Sequence, residues 1–145
     1  MSVDPAPYSL TLPSDLRLLS LARLFVESIC MHLNFDLDFT EAVQAATHEA
    51  LQNIMRHAHD GRPDALWQLE ILPVENGLEI RLHDDGEHFD VSGVPHLQPG
   101  EMRIGGRGVF LMRRIMDQVV SERKMPKGNV LRMVKLDRAS RRSYA

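Results

Sequence analysis

A single cysteine, Cys30, is present, so no intrachain disulfide can close and no cysteine-rich metal knuckle can form. That suits a reducing compartment, and the cytoplasm is the expected location. Long apolar runs are also missing: nothing approaches the roughly 18 residues that a membrane span requires. The opening MSVDPAPYSL has neither a positive n-region nor an apolar h-region, so no secretory signal is expected. Charge is nearly balanced. A net charge of −3 excludes a general attraction to nucleic acid or to anionic membranes. The local exception is the tail RASRRSYA over residues 138–145, which reads as a solvated, basic terminus.

What is there fits one compact domain. The 145 residues, 43% hydrophobic and 26% charged, suffice for a single core, expected over about residues 8–137. Tyr8 to Leu12 alternates and stops at Pro13, which predicts a first strand. Ser14 is a candidate cap for a helix running to about Asn34. Its apolar side would be Leu16, Leu19, Leu21, Leu24, Phe25, Val26 and Ile29. A second helix is expected after Asp38 or Thr40 and should reach about Ala58, where HDGRPD breaks it. Two strand-like runs follow, Ala65–Val74 and Leu78–His83, joined at Glu75-Asn76-Gly77. From Asp84 to Gly108 the pattern dissolves into a loop too long to be an idle connection. Helical spacing resumes from Val109 to Val119, and Val130 to Leu136 alternates as a last strand. This order predicts an α+β fold, a two-layer sandwich with helices on one face of a mostly antiparallel sheet.

Three clusters carry chemistry. In HEALQNIMRHAH, Glu49 and Asn53 stand four residues apart and share one helix face. Ala42, Ala45 and Ala46 surround that row, while Val43, Ala50, Leu51, Ile54 and Ala58 form the neighbouring apolar arc. A carboxylate and an amide above so small a floor can meet a ligand closely. The ordinary alternative is a surface pair contributing about 0.2–0.5 kcal/mol. His57 lies near the same row, whereas His48 and His59 point elsewhere. In RLHDDGEHFD, Asp84 closes a strand and can accept a hydrogen bond from an exocyclic amine. Gly86 beside it lets backbone approach a flat ring, although an acidic turn has the same composition.

The third cluster is GGRGVFLMRRIMD. Gly105, Gly106 and Gly108 allow several N–H groups to point at one place, and the helix that follows adds unpaired donors and a positive dipole end. That makes an anion site. It is not a Walker loop, since no Gly-Lys-Ser/Thr follows, and Leu111 stands where GxGxxG needs its last glycine. Arg103 and Arg107 are within reach of a phosphate. Val109, Phe110, Leu111, Ile115 and Met116 read as core.

Taken in order, these clusters resemble the Bergerat ATP-binding fold: Glu-x-x-x-Asn on a helix, Asp-x-Gly after a strand, a long loop, then Gly-x-Gly before a helix. Histidine-kinase catalytic domains, gyrase-type ATPases and the anti-sigma-factor serine/threonine kinases of bacterial partner switching share that layout. EAVQAATHEALQNIMRHAH, DDGEHFD and GGRGVFLMRRIMD are most similar to the last group, and the likeness spans about Leu16 to Leu136. His88 stands where many Bergerat proteins have a second glycine. The serine-kinase branch often lacks that glycine and carries Phe-Asp next, here Phe89-Asp90.

The resemblance implies a role for each matching residue. Asn53 would give an oxygen to Mg²⁺, Asp84 would bind the adenine amine, and Gly86 would leave room for the ring. Gly106, Arg107, Gly108 and Val109, with the N–H groups opening the last helix, would hold the phosphates of ATP. Residues from about Glu87 to Gly105 would form the lid, and Glu49 would orient and deprotonate an incoming hydroxyl. The implied reaction is phosphoryl transfer to a serine or threonine of a STAS-domain antagonist. A sigma factor is the implied second partner, and the implied assembly is a homodimer. A histidine kinase would need a dimerisation segment before Leu16, and a gyrase-like ATPase a transducer after the last strand. The alternative of another class is a non-catalytic, nucleotide-dependent module that only sequesters its partner.

Overall fold

The computed structural model describes residues 6–88 and 107–138. Strand β1 (Tyr8–Pro13) leads through a short 3₁₀ turn into helix α1 (Leu19–His32) and then helix α2 (Leu37–Asn53). The hairpin of β2 (Leu66–Val74) and β3 (Gly77–Asp84) follows, then α3 (Arg107–Ile115), β4 (Gln118–Arg123) and β5 (Asn129–Leu136). The five strands form one sheet in the order β1-β2-β3-β5-β4, antiparallel at every pairing.

Period-two alternation decides which face of that sheet is covered. Trp67, Leu69 and Ile71 of β2, Leu78, Ile80 and Leu82 of β3, and Leu131 and Met133 of β5 are buried and form one core with the helices. On the other face, polar neighbours pair with one another: Arg81 with Glu79, His83 with Glu70, and Arg132 with Glu122. The expected α+β sandwich is the observed architecture. Cys30 lies fully inside it, and burial pushes its thiol up to about 11 against the opposing hydrogen bond with Thr40. A thiol so placed is no nucleophile at neutral pH.

Local differences from the expected elements have physical causes. The cap at the end of β1 is Asp15, whose carboxylate accepts from the Arg17 amide at 2.9 Å, while Ser14 is buried. For α2 the cap is Asp36, accepting from the Phe39 amide at 2.8 Å, rather than Asp38 or Thr40. Stacking of Phe35 on Phe39 at 4.1 Å holds the chain entry there. The seven apolar residues foreseen for α1 exceed one stripe. Ala22, Val26 and Cys30 are the buried ones, while Leu16, Leu21 and Leu24 face solvent.

The chain after Asn53 does not stay α-helical. It widens into a π turn over Ile54–Ala58, closed by the His59 amide donating to the Ile54 carbonyl at 3.0 Å. Such turns recur at functional sites because they redirect backbone groups. Here the Ala58 carbonyl accepts from the Glu87 amide at 2.9 Å and so ties the end of α2 to the segment leaving β3. The helix expected to reach Val119 stops at Ile115, and Gln118–Arg123 is an edge strand. Asp117 makes the change of direction by donating its amide to the Val134 carbonyl and accepting the Leu136 amide at its carboxylate.

Candidate functional site

Helix α2 presents Glu49 and Asn53 on one face, and the first turn of α3 lies directly opposite. A Cβ built on Gly108 would sit 2.8 Å from Glu49 Oε2, 3.5 Å from Asn53 Nδ2 and 3.7 Å from Asn53 Oδ1. A side chain at this position would displace the Glu49 carboxylate, so the glycine leaves that carboxylate where it is. The arc foreseen beside this row is the buried one: Val43, Ala50, Leu51, Ile54 and Ala58 are all at most 5% exposed.

Asn53 is itself 4% exposed, yet its Nδ2 has no hydrogen-bond partner among the described residues. Buried amides are normally satisfied, so this one is set for a group from outside the chain. One amide offers an oxygen that suits a hard cation and an N–H that suits a phosphate oxygen. The positive dipole end at the α3 N-terminus favours an anion at the same place. The residues present therefore fit a metal–phosphate ligand.

Asn53 also lines a narrow cavity of about 20 Å³ together with Asp84, Ala58, Met112 and Asn129. Asp84 is 3% exposed, and its Oδ1 is occupied twice, by the Gly86 amide at 2.9 Å and by Asn129 Nδ2 at 3.0 Å. Among the described residues its Oδ2 accepts no hydrogen bond and remains available to a donor in the cavity. Gly86, expected to leave room for a ring, also has a packing role. A Cβ there would lie 2.1 Å from the Ala58 carbonyl oxygen, so the missing side chain lets the turn after β3 seat against the π turn.

Val109 is fully buried, as expected of core, whereas Leu111 is 37% exposed. Arg107 begins α3. Arg103, Gly105, Gly106, Phe89 and Asp90 fall outside the described residues, as does most of the segment expected to be the lid. Asn129 was not foreseen. Nothing in its local sequence marks it; the register of β5 on β3 sets it across from Asp84.

His59, the residue after Ala58, is 1% exposed, with both ring nitrogens unpartnered among the described residues. Burial pushes its pKa below the ordinary value; Asp84 and Asp85 oppose that shift and Arg62 adds to it. His57 is displaced downward too, by burial and by Arg56. As pH falls through the unfolded value near 6.5, the unfolded chain takes up protons that the folded chain refuses. Stability contributed by neutral His59 is therefore present above that pH and declines below it. His59→Phe is expected to flatten the fall in Tm between about pH 7 and pH 5. An unchanged slope in thermal denaturation would show that His59 does not carry it.

The sequence matches the family model described as histidine kinase-like ATPase domain over residues 12–135. The chain belongs to that family. Within it, this ATPase domain is 34% identical over 119 residues to the serine-protein kinase RsbW of Listeria monocytogenes, an alignment covering 77% of this chain and 76% of the relative. The RsbW of Oceanobacillus iheyensis is 26% identical over 115 residues, covering 74% and 73%. Of solved structures, the SiaB–SiaC complex of Pseudomonas aeruginosa contains a similar fold, with a TM-score of 0.70 at 15% identity, covering 88% of each chain. The RsbU and RsbW domains of a Mycobacterium tuberculosis protein match with a TM-score of 0.62 at 10% identity, covering 91% of this chain and 32% of that one. Among the described residues of the ATPase domain, no helix is long and apolar enough to cross a membrane.

Proposed function

We propose that this ATPase domain is a protein serine/threonine kinase that transfers the γ-phosphoryl group of ATP to a STAS-domain antagonist. By that transfer it controls a sequestered regulator, a sigma factor, and it works as a homodimer. The observation that carries the reading is the meeting of Glu49, Asn53 and Gly108 beside the cavity that Asn53 shares with Asp84. Similarity to RsbW supports the choice of a serine-bearing protein as acceptor.

In this reading Asp84 Oδ2 accepts the exocyclic amine of adenine. The N–H groups at the start of α3, from Arg107 through Gly108 and Val109, receive the phosphates together with Gly106. Asn53 is the side chain that would hold Mg²⁺, the other positions being phosphate oxygens and waters. When bound, that ion would supply positive charge against the phosphoryl oxygens. Glu49 takes the proton of the incoming serine hydroxyl as its oxygen bonds to the γ-phosphorus. The bond from that phosphorus to the bridging oxygen breaks, and the electron pair leaves with ADP. Alignment contributes most in such transfers, so the position of the Glu49 carboxylate matters as much as its basicity. The phosphate added to the antagonist carries about −1.5 to −2 charge and breaks its complex with the kinase.

Radiolabelled ATP with purified STAS-domain proteins of the same organism tests this. Label on an antagonist serine is the expected result. Nucleotide binding with no label on any acceptor would instead mark a module that only sequesters. Gly108→Ala gives a finer check. The new Cβ would press on Glu49 Oε2, the end of a flexible side chain, so the fold should persist while the carboxylate moves. Transfer should fall by roughly 10²-fold with little change in Tm. A rate equal to that of the parent would remove Gly108 from the account.

A further inference from the structure

Asn129 occupies a buried position between two parts of the site, and none of the roles described above uses it. It opens β5 directly across from Asp84 of β3, and both residues are at most 4% exposed. Its Nδ2 donates to Asp84 Oδ1 at 3.0 Å and to the Glu87 carbonyl at 2.7 Å, which engages both hydrogens of the amide. The approach is secured one residue earlier. Gly128 has φ +106°, and a Cβ there would meet the Asp84 carbonyl oxygen at 2.6 Å, so the turn before β5 runs hard against the end of β3. From the other side, the Ala58 carbonyl holds the Glu87 amide. The Asp84–Glu87 turn is thus gripped between the π turn and Asn129.

We infer that Asn129 is the positioning residue that sets base selectivity at this site. The inference rests on the reading that Asp84 receives the base. A free carboxylate can rotate and present its oxygens over a range of angles, and so accept from donors at more than one place on a base. With Oδ1 held by the Gly86 amide and by Asn129, the plane of the carboxylate is fixed and Oδ2 is the oxygen left to accept, at one angle. It then favours a purine with an amino group at position 6 and rejects one with a carbonyl there. Without the Asn129 donor, only the Gly86 amide restrains Asp84, and discrimination between the two bases relaxes.

Dissociation constants for ATP and ITP, which differ at position 6 in amino against oxo, measure this by calorimetry on the intact protein. In Asn129→Ala the preference for ATP over ITP should shrink by roughly tenfold relative to the parent. A role confined to packing would weaken both nucleotides by the same factor and leave the ratio unchanged; that outcome overturns the inference. Asn129→Ser keeps a single hydroxyl donor and decides the matter if circular dichroism shows the alanine variant unfolded. Its ratio should fall between parent and a relaxed site, and weakening of both nucleotides by the same factor again overturns the inference. Should the parent protein itself fail to prefer ATP over ITP, the base-reading role of Asp84 fails with it, a result distinguishable because it needs no variant.

Discussion

Glu49→Gln should lower phosphoryl transfer by about 10²–10⁴-fold while leaving ATP affinity close to that of the parent. The amide keeps the shape of the carboxylate but cannot take the proton of the attacking hydroxyl. Nucleotide binding should survive because the groups assigned to it are elsewhere: Asp84 in the cavity, Asn53 one turn further along α2, and the amides of α3. Single-turnover transfer to the antagonist, together with calorimetric titration of ATP, separates the two effects. Equal losses in rate and affinity would mean that Glu49 holds nucleotide or structure. An unaltered rate would mean that the hydroxyl is activated by another group.

Asn53→Ala should weaken Mg²⁺-dependent ATP binding by at least roughly tenfold, since losing a direct ligand costs no less than losing a group that merely orients one. Stability should hardly change. The Asn53 Nδ2 has no hydrogen-bond partner among the described residues, so truncation leaves no protein group newly unpaired there. The distinguishing comparison is affinity with Mg²⁺ against affinity in a chelator. The variant should approach the parent once the metal is withdrawn. If it binds Mg-ATP as the parent does, Asn53 has no part in holding the ion.

The α2 row was legible because helical periodicity fixes which side chains share a face, and Glu49 and Asn53 follow that rule. Their meeting with Gly108 was not derivable from spacing. It came from the order of the three motifs, which is a property of the family. The π turn had no signal, since IMRHA has the same apolar pattern in either kind of helix. The cap of α2 was misplaced: Asp38 and Thr40 were the expected caps, but the helix starts earlier at Asp36, where Phe35 stacks on Phe39. Strand β4 was missed, and its first two residues, Gln118 and Val119, were read into the helix, because an edge strand buries little and QVVSER shows no clear alternation of apolar and polar residues. Asn129 was invisible for a different reason: its partner Asp84 is 45 positions away, and only strand register brings them together.

A crystal structure with Mg²⁺ and a non-hydrolysable ATP analogue tests the central claim most directly. The base amine should lie against Asp84 Oδ2, and the Asn53 oxygen about 2.1 Å from the metal. The phosphates should face the first turn of α3 at Gly108. An analogue seated away from Asn53, Asp84 and Gly108 would contradict it.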